Sequence, residues 1–196
     1  MPKGKLGRIA VGADAWCMER QLWLPRVLLL GYLVYVGLRT MQNPEYRSLF
    51  SGLTLVLHEA GHLAFAFFGQ ALSVAGGTLL QLAAPLGASY HLMRRQRDYF
   101  GLCVGLCWTS YSLWDVAVYM ADARRMALPL IGFGSGDPIH DWNYLLRRLG
   151  LLAFDRALAG AVWTGALLLW LAACLAASWL CWRTFLYRTG RLNPNG

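Results

Sequence analysis

Charge is what this chain lacks most. Of its 196 residues only 14% are Asp, Glu, Lys or Arg, against 57% hydrophobic, where a water-soluble domain carries about 25% charged residues. That deficit excludes an ordinary soluble globule. Five cysteines, an odd number, exclude a disulfide framework; Cys103 and Cys107, and Cys174 and Cys181, read as small apolar packing residues on helix faces. The Gly76-Gly77 pair is followed by no lysine of a phosphate-binding loop, so it reads as a tight backbone position. Repeats and low-complexity tracts are absent. A cleavable leader is also unsupported, because Asp14, Glu19 and Arg20 interrupt the apolar stretch it needs.

The net charge of +8 raises the question of nucleic acid. The basic residues stand in short clusters between apolar runs, the habit of membrane proteins, and no basic stripe is interleaved with exposed aromatics. Nucleic acid is therefore excluded as a partner, and the lipid bilayer takes its place. Trp23, Trp163, Trp179 and Trp182 lie near the ends of apolar runs, as interfacial tryptophans do.

The apolar runs predict an all-α, polytopic transmembrane helix bundle of about five spans: 22–38, 49–69, 74–93, 99–120 and 157–182. A polar N-terminal tail, 1–20, precedes a membrane-embedded domain over 21–183, and a basic tail follows over 184–196. Pro85 and Gly87 interrupt the third segment, so four spans plus a re-entrant third segment is the alternative. With five spans and a cytoplasmic N-terminus, ten of the eighteen basic residues fall inside and Gly196 lies opposite; with a re-entrant third segment the inner count is eleven against seven. The bacterial inner membrane is the expected location. Residues 121–156 form the longest polar interval, rich in turn residues from Pro129 to Pro138.

The second run, LFSGLTLVLHEAGHLAFAFFG, contains His58-Glu59-Ala60-Gly61-His62. Residues four apart share a helix face, so two imidazoles converge on one Zn²⁺, with room for a third protein ligand and a water. Glu59, beside the first histidine, is placed to take the proton of an attacking water. Three ionisable groups within five residues at membrane depth are costly and need a common purpose. His58 and His62 are the expected metal ligands and Glu59 the general base. A carboxylate beside the first histidine favours peptide hydrolysis in or near the membrane; the alternative is a non-proteolytic metal-binding membrane protein, such as a sensor, a transporter component or an inactive scaffolding relative.

This string in an apolar helix, followed by Gly69 and the Gly76-Gly77 pair, resembles the site-2 protease family of intramembrane zinc metalloproteases. Closest in pattern are small bacterial membrane proteins sharing HEAGH, GGTLLQL, YMADAR and HDWNYLL, over about residues 53–150. The resemblance implies a zinc peptidase acting on a membrane-protein or peptide substrate. It also implies a third ligand from an aspartate on a later helix, but neither family string for that aspartate is intact here. For the third ligand His140, from the long polar interval, ranks ahead of Asp115, with Asp122 and Asp141 behind. Asp141 is also expected as an outer partner orienting His140, or as a cap of the helix beginning WNYLL. Gln81 reads as a bridge between two helices.

Overall fold

The computed structural model describes residues 5–19, 22–129 and 139–192. Among them are seven α-helices and no strand: α1 (Lys5–Glu19), α2 (Trp23–Gln42), α3 (Leu49–Phe65), α4 (Gln70–Gln96), α5 (Tyr99–Ala121), α6 (Asp141–Arg148) and α7 (Asp155–Arg188). The protein is the polytopic helical bundle its apolar runs require. Four helical stretches are long and apolar enough to cross a membrane: α2, α3 with its following turn, α4 and α7. Most of the turn-rich interval from Pro129 to Pro138 lies outside the described residues.

The fourth apolar segment, α5, occupies the centre. Its polar side chains face neighbouring helices, which spares them contact with lipid. Thr109 and Ser110 are buried and donate to the carbonyls of Gly105 and Leu106 one turn back. Cys107, Tyr111 and Trp114 pack with Leu33 and Val36 of α2 and with Trp170 and Cys174 of α7. Cys107 and Cys174 approach to 3.9 Å as free thiols, consistent with cysteine as a packing residue.

The directions of the helices fix how the bundle is threaded. α2 runs parallel to α5: Arg26 lies over the Phe100 ring, and Tyr111 Oη donates to the Leu33 carbonyl. α3 also runs parallel to α5, but from a later start. Phe50 packs on Tyr111 (5.1 Å), Thr54 meets Ser112 (3.4 Å) and His58 faces Tyr119 (6.3 Å). So α3 begins about midway along α5, and residues 43–48 must reach back through the bundle to start it. Fully extended, that segment covers about 20 Å. Tyr46 packs back on Tyr35, and Ser48 caps α3 by accepting from the Phe50 amide.

α4 and α7 run the opposite way, and α4 is unbroken for 27 residues despite Pro85. The irregular entry into the bundle is therefore at 43–48 and not in the third apolar segment. Four helices traverse the bundle, α2, α4, α5 and α7, with α3 entering from the middle. Both ends of the described chain consequently meet at one end, where Trp23 and Phe185 stack edge to face at 5.4 Å. This differs from the expectation that Gly196, itself outside the described residues, lies opposite the N-terminus.

The tails also differ from expectation. Residues 5–19 of the polar tail are helix α1, which buries Ala13, Trp16 and Cys17 against Phe100 and Cys103 of α5 and Ala177 and Leu180 of α7. The 13, 16, 17 spacing places these side chains on one helix face, and Arg183 grips Asp14 with two bonds of 2.7–2.8 Å. The basic tail begins later than 184, since α7 continues to Arg188 with Thr184 buried.

The same-end arrangement predicts that single cysteines engineered before Lys5 and after Leu192 label from the same side of a sealed membrane vesicle. The native cysteines are all buried and contribute little background. Labelling from opposite sides would contradict this topology.

Candidate metal centre

The HEAGH sequence lies in the last turns of α3, and its glycine sets how closely α4 can approach. A Cβ on Gly61 would strike the Gly76 carbonyl, and one on Gly76 would stand 2.5 Å from the Gly61 carbonyl. The two backbones touch there. The next residue, Gly77, leaves the space that the histidines fill: a Cβ at that position would be 2.8 Å from ring atoms of both His58 and His62. The Gly76-Gly77 pair is thus the flat wall against which the imidazoles rest.

Each imidazole is held by its inner nitrogen. His58 Nδ1 is 2.6 Å from Gln81 Oε1, and His62 Nδ1 is 2.9 Å from the Ser73 carbonyl. Gln81 is buried and its Nε2 donates to the Ser112 carbonyl at 3.1 Å, which fixes its amide with the oxygen towards His58. Both partners of the rings are acceptors, so both Nδ1 atoms carry hydrogen. The two Nε2 atoms therefore present lone pairs.

Those lone pairs converge on a third acceptor. Asp141 Oδ2 lies 2.9 Å from His58 Nε2 and 3.3 Å from His62 Nε2. Two imidazole lone pairs facing a carboxylate oxygen need a cation among them, either a proton or a metal. Donor atoms 2.0–2.1 Å from a tetrahedral Zn²⁺ are separated by about 3.3 Å, close to the spacings here. One ligand-type atom from each of His58, Glu59 and His62 also falls within 4.8 Å of the others. The donor set fits zinc in kind, with hard oxygen and borderline nitrogen ligands and each imidazole oriented by a second partner.

Of the other expected site residues, His140 is turned away. It caps α6: its Nδ1 accepts from the Asn143 amide at 3.2 Å, while Nε2 faces Asp122 Oδ2 at 3.5 Å. Its ring lies 4.3 Å from that of Tyr119. Its Nδ1 is committed to the start of α6 and its buried Nε2 makes no hydrogen bond, and the capping role expected of Asp141 belongs to His140. Asp122 accepts from the Leu128 amide and lies 3.9 Å from Arg125, closing the turn after α5. Asp115 lines the same cavity as the motif residues without forming an ion pair among the described residues.

Two contributors carry little sequence signal. The Ser73 carbonyl is backbone, invisible to residue type. Tyr119 Oη accepts from the Asp141 amide at 3.1 Å and so seats the aspartate; its only sequence cue is its position one turn after Asp115 on the same helix face. Around these groups is a cavity of about 600 Å³, bounded by residues 44–48, α3, α4, α5 and the approach to α6. A comparison with known proteins finds no match: no family model, curated protein or solved structure is similar to this chain.

The glycine contact is testable without reference to chemistry. Gly61→Ala should destabilise the detergent-solubilised protein by about 1–3 kcal/mol, because backbone must move to admit the methyl group. Gly31→Ala, where a Cβ meets nothing, should leave thermal stability unchanged or raise it. Equal melting temperatures for the two variants would refute the close α3–α4 approach.

Proposed function

We propose that this protein is a membrane-embedded zinc metalloprotease that hydrolyses peptide bonds in or near the bilayer. The observation that supports this most is the meeting of two imidazole lone pairs and the Asp141 carboxylate at one point, beside Glu59 and a cavity. We assign His58, His62 and Asp141 as the zinc ligands. Zinc held there supplies a Lewis acid for the scissile carbonyl and favours ionisation of the attacking water. Glu59 accepts the proton from that water and returns it to the leaving amine. Gln81 and the Ser73 carbonyl keep the two rings in the tautomer that ligation requires, and Tyr119 keeps Asp141 in reach. The helices around the cavity limit access by bulk water. This reading makes the protein similar in plan to the site-2 proteases, with its third ligand drawn from the start of α6 instead of a membrane-spanning helix. We place it in the bacterial inner membrane with the α1 end cytoplasmic, which puts eleven of the eighteen basic residues on the inner side.

Purified wild-type protein should hold about one zinc per chain. Glu59→Gln should retain that zinc and the fold yet lose proteolysis by at least about a hundredfold. Cleavage of a genuine substrate at the wild-type rate by Glu59→Gln would refute the mechanism.

The ligand assignment separates two neighbours. Asp141→Ala should weaken zinc binding by about tenfold to a hundredfold, or more, and His140→Ala should weaken it less, since His140 acts only through the start of α6. Competition with a chromogenic chelator measures both. A larger loss from His140→Ala would reverse the assignment.

A further inference from the structure

We infer that the cavity receives a substrate carrying a cationic side chain, lysine or arginine, and that Asp115 binds that charge. The inference rests on the proteolytic reading and adds the class of substrate.

Charge in the cavity runs against charge in the chain. The sequence has eighteen Lys and Arg against ten Asp and Glu, yet the cavity is lined by Glu45, Glu59, Asp115 and Asp141 against Arg47 alone. Glu59 and Asp141 have their roles in the proposed metal centre, and Glu45 sits on the exposed return segment. Asp115 is different. It lies on the central helix α5, and no hydrogen bond or ion pair engages its carboxylate among the described residues. Arg47 is the cationic side chain whose charge reaches it, and it forms no ion pair with it. A carboxylate at membrane depth without a partner is costly and marks function, and a ligand's cation would offset that cost.

The spacing fits a side-chain subsite. Asp115 and Tyr119 are one turn apart on one face of α5, about 5–6 Å between Cβ atoms, and the Tyr119 ring lies 6.3 Å from that of His58. The carboxylate therefore stands beside the reaction centre by about the reach of a long side chain. Leu55 of α3 and Val118, three residues after Asp115 on α5, line the same cavity and supply apolar surface for the aliphatic stem, the way lysine and arginine bury their methylenes while keeping the charged head on a polar group. A norleucine isostere would find the same stem contacts but leave Asp115 unpaired. A glutamate would face it with like charge.

The test uses short peptidyl hydroxamates that differ in one residue next to the metal-seeking group: lysine, norleucine or glutamate. Their Kd values are measured on the full-length, zinc-loaded protein in detergent. The lysine probe should bind at least about tenfold tighter than the norleucine probe, and the glutamate probe weakest. In Asp115→Asn, an isosteric change, the lysine-to-norleucine ratio should fall to near one. Equal affinities for the three probes in the wild type, or an unchanged ratio in Asp115→Asn, would overturn the inference while leaving the protease reading intact. Loss of zinc from Asp115→Asn would make Asp115 a ligand and also overturn it. Failure of every probe to bind zinc-loaded wild type would sink the protease reading, and this inference with it.

Discussion

A polar group inside a bilayer is tolerated only where the protein itself satisfies it, and that constraint organises this bundle. His58, His62, Gln81, Ser112 and Asp141 form one connected set in which every inner hydrogen is used. Gln81 joins α4 to α3 on one side and to α5 on the other. The Ser73 hydroxyl returns to the His62 carbonyl at 3.0 Å while its own carbonyl holds the His62 ring. At the centre of the set His58 Nε2 and His62 Nε2 meet Asp141 Oδ2 at 2.9 and 3.3 Å, the convergence on which the proposed cation site rests. The α3–α4 glycine contact serves the same constraint. Only with the backbones touching at Gly61 and Gly76 does the Ser73 carbonyl come within reach of His62.

The return segment 43–48 follows from where the motif must sit. If α3 began at the far end of the bundle, as α5 does, His58 would fall level with the middle of α5, away from the start of α6. Starting α3 midway brings His58 to Tyr119 and thus to Asp141. The cost is non-helical backbone at depth, which is acceptable only where it borders a polar cavity. Residues 44–48 do border it. Asn43 and Ser48 also supply side-chain acceptors for nearby amides, so part of the open backbone is satisfied locally.

How much of this could be read from the sequence depends on the range of each interaction. The helical class and the five apolar runs follow from composition and run length, which are local. The ligating face of α3 follows from the four-residue spacing of His58 and His62. Gln81 was legible as a bridge because an amide in an apolar helix needs partners. The proposed third ligand was not legible. His140 and Asp141 are adjacent, and which of the two points inward depends on the start of α6: the residue that caps a helix turns its side chain back to the helix amides, and the next one is free to point away. The direction of each helix was hidden for a similar reason. Hydropathy counts apolar runs but is blind to direction, and α2 and α3 run the same way only because a short extended segment connects them. Helix α1 was hidden by its charges, although Ala13, Trp16 and Cys17 already mark an apolar face.

Drawing one acceptor of the centre from α6 has an energetic consequence. His58 and His62 belong to the membrane bundle, whereas Asp141 stands at its edge, tied to the bundle through Tyr119 and through Asn143, whose amide donates to the Ala123 carbonyl at 2.7 Å. The contacts of Asp141 with His58 and His62, at 2.9 and 3.3 Å, join α6 to α3. Because ligation energy is also ordering energy, a bound metal would secure the juxtamembrane helix over the cavity, and the docking of α6 would in turn complete the coordination. The polar cavity and its cover thus depend on one shared contact, that of Asp141 with the two imidazoles.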